Sequence, residues 1–249
     1  MLKAFDSGRL FGTVHGDGPA RVLALHGWRR QSGDFAAVLA GLAGAGVGAV
    51  ALDLPGFGAS PEPPEAWGAA DYAKAVSAVL PELETPVVVL GHSFGGRVAL
   101  CLAADRPDAV RALVLTGVPL IRRPGAGRRP ALSFRAARRL HRWGLLSDER
   151  IEGLRQRHGS ADYRAASGVM RDVFVRVVNE SYEDELRRVR CPVELVWGDD
   201  DAEAPLAVAE SALSVLGPDR ASLTVLPGAG HLTPLTAPDA LRAAVERRL

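Results

Sequence analysis

The chain alternates between short runs that are hydrophobic throughout and longer stretches with helical spacing. Six of the runs carry apolar residues at nearly every position: RVLALH (21–26), VGAVALD (47–53), PVVVLG (86–91), RALVLTG (111–117), PVELVWG (192–198) and ASLTVLPG (221–228). Strands of a parallel sheet are covered on both faces, so an unbroken apolar run is their signature. Between the runs, helical patterns span Asp34 to Ala45, Ala69 to Leu83, Phe94 to Ala104, Pro205 to Leu216 and Ala237 to Leu249. This alternation predicts a doubly wound, mostly parallel α/β sheet with helices on both faces. Turn signals PGFG (55–58) and PGAG (227–230) follow two of the strands. Open sheets of this kind hold ligands at those strand ends.

The alternation stops between Pro119 and Arg190. That segment contains no strand pattern and predicts helices over 133–143, 147–158, 161–179 and 181–189. Ser147 and Ser160 are N-cap candidates, each with an acid just inside the helix that follows. The third helix sets Val169, Met170, Val173, Phe174, Val177 and Val178 on one face, which should turn towards the rest of the chain. The expected organisation is a core of residues 1–118 and 191–249, interrupted by a helical insertion at 119–190 that packs over the strand ends.

Charge divides along the same boundary. The insertion holds seventeen Arg and nine acidic residues, a net of +8; the rest holds thirteen basic and twenty acidic residues, a net of −7. The overall charge of +1 gives no reason to expect nucleic acid as a partner. Ala36 to Leu52 is seventeen residues without a charge, but rich in Ala and Gly. A membrane span needs roughly 20 predominantly apolar residues, so the stretch reads as a helix followed by a buried strand, and no membrane is expected. MLKAFDSGRLFG at the start lacks the apolar core of a signal peptide. Cys101 and Cys191 are too few for a disulfide framework. The expectation is a soluble, cytoplasmic protein.

The strand PVVVLG runs directly into Gly91-His92-Ser93-Phe94-Gly95 and then a helix. A serine on so sharp a strand-to-helix turn has a strained backbone, and glycines two residues before and after remove side chains that would clash. The hydroxyl then projects clear, above a helix N-terminus that favours developing negative charge. Taken alone, the pattern also fits a Gly-rich connection with a solvent-facing serine. A serine nucleophile needs a base. Of six histidines, His231 in Pro227-Gly-Ala-Gly-His231 follows the last strand and lies at the same sheet end as Ser93. His92 is given a local structural role, and His141 and His158 lie among arginines of the insertion. The base needs an acid, and Gly198-Asp-Asp-Asp-Ala-Glu-Ala-Pro205 supplies Asp199, Asp200, Asp201 and Glu203, among which the residues themselves do not choose. Backbone N–H groups of Trp28, after His26-Gly27, and of Phe94 are candidate oxyanion donors. His26 shapes its loop without doing chemistry. Trp28, Met170 and Phe174 are candidates for the substrate pocket.

These motifs, in this order, resemble the α/β-hydrolase superfamily across essentially the whole chain. His26-Gly-Trp resembles its oxyanion loop, Asp53-Leu-Pro-Gly-Phe-Gly-Ala-Ser60 the turn after its fourth strand, and Gly91-His-Ser-Phe-Gly-Gly96 its nucleophile elbow. The family's Gly-x-x-Asp-x-x-x-Pro pattern falls on Gly198 and Pro205, which implies that Asp201 is the catalytic acid. Gly230-His231 resembles its histidine loop, and the insertion its cap. Haloalkane dehalogenases and epoxide hydrolases of the family carry an Asp nucleophile, and proline iminopeptidases carry His-Gly-Gly-Pro-Gly; neither pattern stands here. The resemblance implies a serine esterase with a Ser93-His231-Asp201 triad, using no metal and no organic cofactor and acting on a small to medium ester or thioester. An acidic carrier protein docking on the basic insertion, a carbon–carbon bond hydrolase, a lactonase and a non-enzymatic ligand receptor stand as alternatives.

Overall fold

The computed structural model describes residues 1–121, 139, 143, 147, 150 and 160–249. All six apolar runs form strands: β3 (Ala20–Leu25), β4 (Gly48–Asp53), β5 (Val87–His92), β6 (Val110–Thr116), β7 (Val193–Gly198) and β8 (Ala221–Leu226). Two further strands, β1 (Leu2–Phe5) and β2 (Leu10–His15), extend the sheet at one edge. The eight strands lie in the order β1-β2-β4-β3-β5-β6-β7-β8. β1–β2 and β2–β4 pair antiparallel, and every other neighbouring pair is parallel.

Five of the apolar runs behave as two-faced strands should. β8 lies at the sheet edge, where only Ala221 is buried and Val225 is 41% exposed, so its run does not mark a strand covered on both faces. Val22, Ala24, Val88 and Leu90 pack on one side beneath α1 (Ala36–Gly44) and α9 (Pro238–Glu246), through Val38, Leu39, Leu42, Leu241 and Val245. Their sequence neighbours Leu23, Leu25, Val87 and Val89 face the other side. There α2 (Ala69–Ser77), α3 (Phe94–Asp105) and α7 (Leu206–Leu216) contribute Tyr72, Val98, Leu102, Val208 and Leu216. The expected 69–83 helix is shorter: it ends at Ser77 and gives way to a 3₁₀ turn at Leu80–Glu82 that contains Pro81, a residue that cannot continue an α-helix. Glu194 on β7, only 3% exposed, accepts from Arg247, Arg248 and Ser222, which ties the last helix to the sheet.

Between β6 and β7, residues 160–188 form α4 (Ala161–Ala165), α5 (Gly168–Val177) and α6 (Glu183–Arg188). The 161–179 helix is therefore broken in two. Ala166 is extended, and Gly168 has φ +51°, a conformation open to glycine at no steric cost. Ser160 Oγ accepts from the Tyr163 N–H at 3.2 Å as the N-cap of α4, and Ser147 Oγ from the Arg150 N–H at 3.4 Å. On α5, Met170, Val173 and Val177 are buried and Phe174 half-buried, but Val178 is 45% exposed. The apolar face is thus one residue narrower than its spacing predicts. α5 is held to the core by Arg97 on α3, which donates to the Val177 carbonyl, and by Arg176, which pairs with Asp71. The expected helices at 133–143 and 147–158, with His141 and His158, fall almost wholly outside the described residues. No helix among the described residues is long and apolar enough to cross a membrane.

Candidate active site

Ser93 sits between β5 and α3 with φ +50° and ψ −114°, a region a non-glycine residue enters only when its surroundings hold it there. The neighbouring glycines explain how. A Cβ on Gly95 would stand 2.1 Å from the Leu25 carbonyl oxygen, one on Gly91 2.5 Å from Gly96 Cα, and one on Gly96 2.2 Å from Val118. The turn is packed so closely that only glycines fit around the serine, whose own side chain stays partly exposed.

His231 lies in the loop after β8, its ring against Gly117 at the end of β6. Its Nδ1–H donates to Asp201 Oδ2 at 2.8 Å and approaches Oδ1 at 3.1 Å. Asp201 is 4% exposed, and its Oδ1 also accepts from the N–H groups of Glu203 (2.9 Å) and Ala204 (2.8 Å). Burial alone would raise the Asp201 carboxyl, but the His231 bond and the two amides outweigh it and hold the group below its ordinary range. The same balance acts in reverse on His231. Burial opposes its charge, yet the Asp201 bond, followed by the charges of Asp201, Glu203 and Asp162, leaves the imidazole above its usual value. Asp199 and Asp200 are exposed, and Asp199 accepts from the Gly228 N–H instead. Of the four carboxylates in that loop, Asp201 is the one on Nδ1.

The far nitrogen of the ring, Nε2, faces Glu203 Oε2 at 3.4 Å. Ser93 Oγ makes no hydrogen bond among the described residues, so the structure brings Ser93 and His231 to one rim of the sheet without closing the bond between them. The rim is held by two cross-links. His92, next to Ser93, donates from Nε2 to the His231 carbonyl at 2.9 Å, and Thr116 Oγ1 on β6 meets Thr233 Oγ1 at 2.5 Å.

The backbone N–H groups of Trp28 and Phe94 find no acceptor among the described residues. Gly27 brings their loops together: a Cβ there would lie 2.9 Å from His92 Nδ1 and 3.3 Å from Ser93 Cβ. His26 is fully buried, donating from Nδ1 to the Gly27 carbonyl (2.8 Å) and accepting at Nε2 from the Leu54 N–H (3.0 Å). Burial lowers its pKa, so it is a neutral brace for the loop. Asp53 braces the adjoining turn by accepting from Ser32 and Ala59.

Trp28 is half-buried beneath α5, with ring centroids 5.0 Å from Phe57, 5.6 Å from Phe94 and 5.2 Å from Phe174. Of the three pocket candidates, Trp28 and Phe174 thus form one aromatic wall. Met170 is buried, and its sulfur occupies the space above Gly56, where a Cβ would meet it at 2.3 Å. Arg29, with φ +55°, reaches across to Asp162 on α4 at 3.4 Å. Cys101 is buried on α3, where loss of solvent pushes its thiol up to about 12. Among the described residues no cluster of His, Cys, Asp and Glu could hold a metal ion.

A strand-to-helix serine, a histidine after the last strand and an acid after the strand before it define the class on this sheet order. Residues 22–244 match the alpha/beta hydrolase family, and the chain belongs to that family. A pimeloyl-[acyl-carrier protein] methyl ester esterase from Aromatoleum aromaticum is 30% identical over 254 residues, covering 90% of this chain and 96% of the relative. Several other relatives are matched over less than half of their own length. Lipase LipV of Mycobacterium tuberculosis is 42% identical over 106 residues, 39% of this chain and 37% of LipV. Among solved structures, a thioesterase domain from the curacin biosynthetic pathway superposes with a TM-score of 0.72 at 22% identity, covering 99% of this chain and 98% of that one. A thermophilic esterase from Thermogutta terrifontis does so with a TM-score of 0.69 at 25% identity, covering 96% and 92%.

Proposed function

We propose that this chain is a serine hydrolase of carboxylic esters or thioesters, working through an acyl-enzyme on a small to medium acyl substrate. The observation that carries the reading is the buried Asp201 carboxylate on His231 Nδ1, at the rim where the strained turn presents Ser93. Ser93 Oγ attacks the acyl carbon while His231 Nε2 takes its proton; Asp201 keeps Nδ1 protonated and steadies the imidazolium. The free N–H groups of Trp28 and Phe94 receive the oxyanion, each worth about 3–4 kcal/mol in enzymes of this type. His231 then protonates the leaving group, and water repeats the sequence on the acyl-enzyme. For the first proton transfer, Nε2 must exchange its Glu203 neighbour for Ser93; such bonds are often long before substrate binds. No metal or organic cofactor enters any step. The segment 119–190 acts as a cap, a role supported by the Trp28–Phe174 and Arg29–Asp162 contacts across the rim.

Purified protein should cleave nitrophenyl esters, and Ser93→Ala should lower turnover at least ~1000-fold with the fold retained. Full activity in that variant would remove the reading.

A second reading has its own support. The relative from Aromatoleum aromaticum is named for a carrier-protein-linked ester, and the segment 119–190 carries a net of +8. A carrier-bound acyl chain delivered by an acidic protein fits both.

A further inference from the structure

His92 stands where the pattern of β5 predicts an aliphatic residue. Val88 and Leu90, four and two positions earlier, fill the layer beneath α1 and α9, and His92 shares their parity with 1% exposure. A leucine there would bury as well and would bring no polar atom of its own into the layer. The histidine orphans one of its own. Its Nε2 faces the His231 carbonyl, which can only accept, so Nε2 carries the proton and Nδ1 is left as a lone-pair acceptor. That Nδ1 is buried without a partner, pressed against Gly27 of the oxyanion loop. The imidazole is therefore wedged between the base loop, the nucleophile turn and the oxyanion loop, and its ring centroid lies 4.9 Å from that of His231.

Granting the hydrolase reading above, we propose that His92 is a positioning residue for His231: a neutral, Nε2-protonated histidine whose N–H grips the His231 carbonyl and so fixes where that ring lies between Asp201 and Ser93. The grip acts on the backbone of the base itself, from the residue that precedes the nucleophile. A second proton would place an unpaired N–H against Gly27. Burial, and then the neighbouring His231, push the His92 pKa down to about 4. The groups facing it are His231, with Asp34 and Asp201 further off, and their balance keeps the ring uncharged while His231 titrates.

The test separates the N–H from the bulk of the ring. A Gln amide places its nitrogen near the histidine Nε2 position, whereas Asn reaches only the Nδ1 position. His92→Leu and His92→Asn should lower kcat at least ~30-fold with KM changed less than roughly threefold, and should move the acid limb of the pH profile. His92→Gln should recover kcat to within roughly fivefold of the unsubstituted protein. Leu or Asn at full rate, or Gln no better than Leu, would overturn the proposal. In the unsubstituted protein, nitrogen-15 spectra of labelled histidine should show one ring as the neutral Nε2–H tautomer from about pH 5.5 to 8.5. A His92 that titrates in that window, or carries its proton on Nδ1, overturns it whatever the variants do. Ser93→Ala in the same assay distinguishes the two failures: activity surviving there defeats the hydrolase reading, whereas loss there beside full rate in His92→Leu defeats this inference alone.

Discussion

At the residue scale, Ser93 is announced by glycines that its close turn requires, and His231 by the turn after the last strand, where Gly228 takes φ +68°. Asp201 was not legible from its residues alone, since Asp199, Asp200 and Glu203 are the same chemistry within four positions; only the family's spacing singled it out. What sets it apart in space is burial together with two backbone N–H donors, and a one-dimensional pattern carries neither. The position of Glu203 was equally hidden. A loop carboxylate reads as solvated, and Glu203 is 70% exposed, yet its oxygen ends 3.4 Å from His231 Nε2. It helps, behind Asp201, to raise the His231 pKa, and the proposed mechanism uses the neutral ring. Removing that charge lowers the pKa, so neutral base persists to lower pH. Glu203→Gln should therefore move the acid limb of kcat/KM to lower pH. Added salt should move the limb of the unsubstituted protein the same way, because so exposed a charge is screened. A limb that stays in place or moves upward would contradict the electrostatic account.

At the scale of elements, all six apolar runs were read directly as strands from hydrophobicity, although β8 at the sheet edge is mostly not buried, and the helices between them followed. β1 and β2 escaped for a physical reason. They form an antiparallel edge, three of the four residues of β1 are exposed, and Gly12 within β2 lies where a Cβ would stand 2.4 Å from the Ala51 carbonyl. A strand this short and this wet leaves no apolar run to read. The break between α4 and α5 has a signal in Ser167-Gly168, which the heptad-like spacing of Val169 to Val177 masked. The elbow shows sequence and packing in agreement. Its glycines are demanded by Leu25, Val118 and each other, which makes the strained serine a property of the assembled sheet and not of the pentapeptide.

At the scale of the whole molecule, order of elements and order of chemistry coincide. Strand ends of β3, β5, β6 and β7 all open onto one rim, so residues scattered from Trp28 to His231 become neighbours there. The charge asymmetry between the segment 119–190 and the rest belongs to this scale too. If it guides an acidic carrier protein, hydrolysis of a carrier-bound ester should outpace that of the free ester at low salt, and the advantage should shrink as salt rises. Equal rates on both substrates at low salt would leave the small-ester reading standing alone.

The most direct test of the central claim is intact-protein mass spectrometry after treatment with a fluorophosphonate ester, followed by peptide mapping. The account predicts one adduct per chain, carried on Ser93 and lost in both Ser93→Ala and folded His231→Ala. An unlabelled protein that still cleaves esters, or an adduct on any other residue, would contradict it.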